Sequence, residues 1–110
     1  MDIEVRTWLK DIEQSISEIY EFLPAPINYL LFEKDLKTKK AVERNIEIIG
    51  EALNRILKVN PEIGISNSRK IVDTRNRITH GYDSVSADVL WLIIVRHLPT
   101  LQKEVEELLK

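Results

Sequence analysis

The sequence predicts an all-α protein, an up-and-down bundle of four main helices, and three observations carry that expectation. Apolar residues recur at alternating steps of four and three along the N-terminal, central and C-terminal thirds of the chain, which is the spacing that lines one face of a helix. Proline and glycine fall mostly between these periodic stretches, as Pro24, Pro26, Pro61, Gly64 and Gly81 do. No segment shows the apolar and polar alternation of a half-buried strand.

The first helix is expected from about Asp2 to Phe22, where Val5, Leu9, Ile12, Ile16 and Ile19 form a stripe that continues to Leu23. Pro24 and Pro26 end it, because proline lacks an amide hydrogen and disfavours helical geometry in the residue before it. Pro24 to Phe32 then reads as a connector, with room for a short helical turn. The second long helix is expected from about Asp35 to Val59. It carries Val42, Ile46, Ile49, Leu53 and Ile56 as one stripe and Ala41, Ile48, Ala52 and Val59 as another, so its buried face should be wide and its position central. Gly50, in mid-helix, costs about 1 kcal/mol relative to Ala and suggests a close helix contact there. Asn45 falls on the second stripe, where an amide needs a partner, across helices or in a polar cleft. Asn60-Pro61 ends this helix.

Ser66 or Ser68 is expected to cap the third helix, which ends at His80 with Gly81 just beyond, where a left-handed backbone is easiest for glycine. Ser84 or Ser86 is expected to cap the fourth. Ala87, Trp91, Ile94, Leu98, Leu101, Val105 and Leu108 form its seam, and Pro99 should bend it opposite Val95. Trp91, Leu92, Ile93 and Ile94 give this helix more apolar surface than one contact needs, and part of it is expected to face a second copy.

Composition narrows the function classes. With 110 residues and 44% apolar content, residues 1–110 read as a single domain with one core, small enough that dimerisation would help bury surface. The absence of cysteine excludes disulfides and thiolate metal sites, and two histidines without clustered carboxylates argue against zinc. No metal or cofactor is expected. No apolar run approaches the roughly 18 residues needed to span a bilayer, and the N-terminus lacks the pattern of a signal peptide; a soluble, cytoplasmic protein is expected. The net charge of −2 provides no global field for a polyanion, so any contact with nucleic acid must be local. One basic stretch, Lys34 to Lys40, reads as a solvated face. The other, with Arg69, Lys70, Arg75 and Arg77, is richer in Arg, which suits bidentate phosphate recognition.

The stretch I-V-D-T-R-N-R-I-T-H-G-Y-D, from Ile71 to Asp83, is not explained by helix packing alone. Arg75 and His80 lie about 140° apart on an ideal helix, whereas Asn76 and His80 share a face. Convergence therefore requires a frayed end at His80 or a neighbouring subunit. If the groups do converge, an imidazole with an ordinary pKa of about 6.5 can pass protons near neutral pH. A guanidinium can stabilise charge on a reacting phosphate. RNA supplies its own 2′-hydroxyl as nucleophile. The competing reading is structural: a histidine in the last turn favoured by the helix dipole, an ordinary glycine stop, and Tyr82 packed on the bundle end. His97, beside Arg96, reads as a surface or packing residue.

The pattern R-x4-H-x-Y, formed by Arg75, His80 and Tyr82, resembles the signature of HepT-like toxins of the HEPN superfamily. The segments A-V-E-R-N-I-E-I-I-G-E-A and D-V-L-W-L-I-I-V-R-H-L-P-T-L are similar to the corresponding helices of that family, so the likeness covers most of the chain from Phe32 onward. The loop before the motif, I-S-N-S-R-K, departs from the family in lacking a Trp. The resemblance implies a metal-independent endoribonuclease toxin of a toxin–antitoxin pair, acting on RNA as a homodimer whose two motifs meet at a cleft. It implies Arg75 and His80 as catalytic, Asn76 as supporting, and Tyr82 as the acceptor of AMP from a minimal nucleotidyltransferase antitoxin of the MntA type. The alternative is a non-catalytic helical interaction module that binds a nucleotidyltransferase or a nucleotide through the same cleft.

Overall fold

Helix α1 (Ile3–Phe22) begins where the Asp2 carboxylate accepts the Glu4 and Val5 amides at 2.7 and 3.4 Å. This is the side-chain cap that satisfies otherwise orphaned donors at a helix start. Val5, Leu9, Ile12, Ile16, Ile19 and Leu23 are all buried, as the spacing predicts. The computed structural model describes residues 1–81 and 85–110. Tyr82, the expected AMP acceptor, and Ser84, one of the expected caps, lie outside the described residues.

A short helix, α2 (Tyr29–Lys34), occupies the connector. It buries Phe32 and leaves Ile27, Leu30 and Leu31 exposed. The rings of Tyr29 and Phe32 pack on Trp91, at centroid distances of 5.6 and 5.4 Å. The Tyr29 hydroxyl donates toward the carboxylates of Asp88 at 3.1 Å and Glu33 at 3.3 Å. Desolvation, and then the bond to Asp88, push that phenol up to about 12.

Helix α3 (Leu36–Val59) is capped by Asp35, which accepts from the Thr38 amide at 3.1 Å and hydroxyl at 2.6 Å. The Thr38 bonds hold the Asp35 carboxyl below its usual range. The stripe Val42, Ile46, Ile49, Leu53 and Ile56 is fully buried. Ala52 on the second stripe is buried too, but Val59, at the helix end, is exposed. The expectation of a central helix is met: α1 packs along α3 on one side, and α4 (Ser68–His80) along another. Helices α2 and α5 (Ala87–Leu92) also reach it, while α6 (Leu98–Leu109) lies on α1. Asn45 does not bond across helices as one reading allowed. It is buried with its amide on the Ala41 carbonyl of its own helix, at 3.1 Å, and its Oδ1 has no partner.

Two expectations about helix starts are corrected. The residue before α4 is Asn67, in a left-handed conformation with φ 60° and no side-chain cap bond. Ser68 is already helical. Ser66 is bound instead by Glu104 of α6, whose carboxylate accepts the Ser66 amide at 3.1 Å and hydroxyl at 2.8 Å. Ser86 stands at the start of α5, but its side chain makes no cap bond.

The bend expected near Pro99 takes the form of a π-helical turn, Ile93–His97, joining α5 to α6. Proline then falls in the first turn of α6, directly after a turn wide enough to accommodate a residue with no amide hydrogen to donate. One extra residue in the turn shifts the seam before it by one position. Leu90 and Ile93 are buried where the alternation had placed Trp91, and Ala87 and Trp91 pack at the margin. Ile94, Leu98, Leu101 and Val105 are buried as expected. Leu92 and Val95 remain 42% and 44% exposed, which leaves apolar surface on this helix, as the sequence suggested. The described residues thus form an all-helical bundle of the expected main helices with α2 added. None of its helices is long and apolar enough to cross a membrane.

Candidate active site at the end of α4

The polar stretch singled out in the sequence is α4 itself. Ile71, Val72 and Thr74 bury one side of this helix, and Thr74 satisfies its hydroxyl on the Lys70 carbonyl at 2.9 Å. Arg69, Lys70, Arg77 and His80 are exposed. The helix stops as the sequence predicts: Gly81 has φ 63°, and its amide bonds the Arg77 carbonyl at 3.3 Å.

Gly50 explains where Arg75 sits. A Cβ built on Gly50 would fall onto the Arg75 Cβ, with the Arg75 Cγ 2.9 Å and the Ile71 carbonyl oxygen 3.3 Å away. The absent side chain of α3 is therefore the space that the stem of Arg75 fills, which is the close helix contact that glycine in mid-helix predicts. One turn earlier on α3, Glu47 accepts a hydrogen bond from the Thr79 hydroxyl at 3.2 Å. Its other carboxylate oxygen accepts from Arg44 at 3.4 Å. Gly50 meets Arg75 and Glu47 meets Thr79, so α3 and α4 run antiparallel.

Beyond its seated stem, the guanidinium of Arg75 turns toward Asn76, and Nη1 donates to Asn76 Oδ1 at 2.6 Å. Its Nε is buried without a partner, and among the described residues it forms no salt bridge. Among the described residues, its positive charge is thus held by a neutral amide and not by a carboxylate. Convergence of Arg75 with His80 was expected through a frayed end or a neighbouring subunit; within this chain His80 is the last residue of a regular helix. What the structure supplies is Asn76, one turn before His80 on the same face, drawing the arginine head toward that face. The described residues include Arg75, Asn76 and His80; Tyr82 falls outside them. Sequence reasoning missed the bond from Thr79 to Glu47. The signal was available, since Thr79 follows Arg75 by one turn and Glu47 precedes Gly50 by one.

His97 lies in the π turn, half-buried, with Nδ1 unpartnered in the interior. Burial first, and then the charges of Lys70 and Arg96, hold its imidazole below the ordinary value. Folding thus favours the neutral ring. The stability it contributes is present above the unfolded pKa, about 6.5, and is lost as pH falls through the lower folded value. Acidification from about pH 7.5 to about pH 5.5 should lower the Tm of the wild type more than that of His97→Gln, as measured by circular dichroism melts. Equal slopes would show that His97 keeps its charge in the fold. A packing role, as the sequence suggested, accounts for this residue.

These features define a helical protein whose polar site runs along the C-terminal half of one helix, from half-buried Arg75 and Asn76 to exposed His80, and is seated by its central helix. The chain belongs to the ribonuclease HepT-like family of the HEPN superfamily, which matches residues 12–108. The activity the family carries is that of an endoribonuclease. Among similar proteins, one from Thermococcus cleftensis named "Probable ribonuclease HepT" is 35% identical, with 96% of each chain covered. One from Methanocaldococcus jannaschii, provisionally named an RNase, is 30% identical over 97% of this chain and 88% of the relative. A further relative from Caldanaerobacter subterraneus subsp. tengcongensis, also provisionally named an RNase, is 30% identical over 96% of this chain and 94% of its own. No solved structure matches.

Proposed function

We propose that residues 1–110 act as one HEPN-like domain, a metal-independent ribonuclease toxin of a toxin–antitoxin pair, with Arg75 and His80 catalytic and Asn76 supporting. The observation that carries this reading is the bond from Arg75 to Asn76, which turns an arginine without a carboxylate partner among the described residues toward the face that bears His80. In the reaction, the RNA 2′-hydroxyl attacks the adjacent phosphorus. The P–O2′ bond forms as the P–O5′ bond breaks, giving a 2′,3′-cyclic phosphate and a free 5′-hydroxyl. His80 moves the proton at the 2′-oxygen or the 5′-oxygen, and Arg75 stabilises the charge on the non-bridging oxygens.

Two copies facing one cleft would place a His80 at each of these oxygens. The exposed Leu92 and Val95 favour such a homodimer. Control is assigned to Tyr82, two residues beyond His80. Its esterification with AMP by a minimal nucleotidyltransferase antitoxin of the MntA type would put a phosphodiester and a bulky nucleoside close in sequence to Arg75 and His80, and the added negative charge would repel an RNA backbone. The absence of cysteine is consistent with action in the cytoplasm.

Mass spectrometry of protein co-expressed with the cognate nucleotidyltransferase, paired with an RNase assay, tests this reading. Native spectra should show two chains per particle, and intact-chain spectra one AMP on Tyr82 with cleavage suppressed. Tyr82→Phe should cleave RNA and escape silencing. A silenced wild type with unmodified Tyr82 would leave inhibition to binding alone, and single chains that still cleave would remove the composite cleft. The non-catalytic module would give no cleavage in any form.

A further inference from the structure

We infer that Glu47 is a positioning residue for the cleavage reaction, acting through Thr79 to fix the turn of α4 that bears His80. The inference rests on the assignment of proton transfer to His80. The last carbonyls of a helix have no intrahelical partners, and the last turn is held more loosely than the rest. In α4 that turn carries the proton-transfer group. Its axial closure is the Gly81 amide on the Arg77 carbonyl, at 3.3 Å. A lateral anchor is also present: the Thr79 hydroxyl, one residue before His80, donates to Glu47 of the long and well-packed α3 at 3.2 Å. The same face of α3 carries Gly50, one turn further on, against which Arg75 is packed.

One face of α3 therefore sets both members of the proposed pair, Arg75 through contact with Gly50 and the His80 turn through Glu47. Thr79 supplies a hydroxyl where the helix interior gives it little reason to be. It is exposed and contributes no apolar burial to the core. Glu47 also receives Arg44, at 3.4 Å and on its own helix. An exposed pair one turn apart of this kind contributes little by itself. Small displacements of reacting groups cost far more in rate than the contacts that prevent them are worth in stability. The effect of losing this anchor should therefore fall on turnover.

Steady-state RNA cleavage by wild type, His80→Ala, Thr79→Val, Thr79→Ser, Glu47→Ala, Glu47→Gln, Arg44→Ala and the double variant Glu47→Ala/Thr79→Val tests the inference. Thr79→Val and Glu47→Ala should each lower kcat about tenfold with KM within about twofold, and the double variant should be no slower than the slower single, as for two halves of one interaction. Thr79→Ser and Glu47→Gln keep a donor and an acceptor and should recover most of the rate. Arg44→Ala should match wild type. Wild-type kcat in Thr79→Val, or losses that multiply in the double variant and follow Tm, would overturn the positioning role. A loss in Arg44→Ala equal to that in Glu47→Ala would overturn the route through Thr79. If His80→Ala cleaves as fast as wild type, the assignment of His80 fails first, and the inference falls with it.

Discussion

Replacing either Arg75 or His80 with Ala lowers RNA cleavage by about two to four orders of magnitude, the range spanned by loss of a proton-transfer group or of a charge-stabilising donor. Helical content should be unchanged in both. His80 is exposed and stands at the last position of α4. The hydrogen bond of Arg75 goes to its neighbour Asn76 and not to another helix, and Ala keeps the Cβ that lies against Gly50, so the helices stay in place. The two losses should not multiply, since groups acting on one transition state are not independent. Cleavage measured with circular dichroism as a control checks this, and wild-type rates in either variant would remove that residue from the mechanism.

The second large effect is expected at Gly50, far from His80 in sequence. A methyl group there meets the Arg75 Cβ, the Arg75 Cγ at 2.9 Å and the Ile71 carbonyl oxygen at 3.3 Å. The stem of a side chain and a backbone oxygen cannot swing aside as a side-chain tip can, so α3 and α4 must separate. Overpacking of this kind costs about 1–3 kcal/mol, against a gain of up to about 1 kcal/mol from replacing a mid-helix glycine. Gly50→Ala should therefore lower Tm and also lower kcat about tenfold or more, because the displaced group is Arg75 itself. A Tm that rises with activity intact would show that the contact is slack.

Much of this was legible in the sequence because helix packing is periodic. The Val5 to Leu23 stripe and the Val42 to Ile56 stripe are buried residue for residue, and Gly81 ends α4 where its left-handed conformation was expected. Gly50 announced a close contact but not its partner, since periodicity fixes a face and does not say which helix covers it. The shift at Pro99 was half legible. Proline forbids one α-helical bond, but whether a kink or a wider π turn absorbs the defect depends on which residues, here Leu90 and Ile93, pack better after the shift. Asn67 was missed because it precedes the helix in a left-handed conformation without a side-chain cap bond, which cap preferences do not signal, and the Ser66 hydroxyl was claimed by Glu104 from α6. Arg75, Asn76 and His80 stood out as residue types without a packing role. What drew the arginine head toward the histidine face was a bond between sequence neighbours, and no spacing rule predicts it.

On the proposed mechanism, RNA is cleaved by protein side chains alone, His80 among them. The most direct measurement is the cleavage of RNA by purified wild type and His80→Ala in the presence of excess chelator. The wild type should cleave, leaving 2′,3′-cyclic phosphate ends, and His80→Ala should not. Equal rates in the two proteins, or wild-type cleavage that appears only when a divalent metal is restored, would contradict that mechanism.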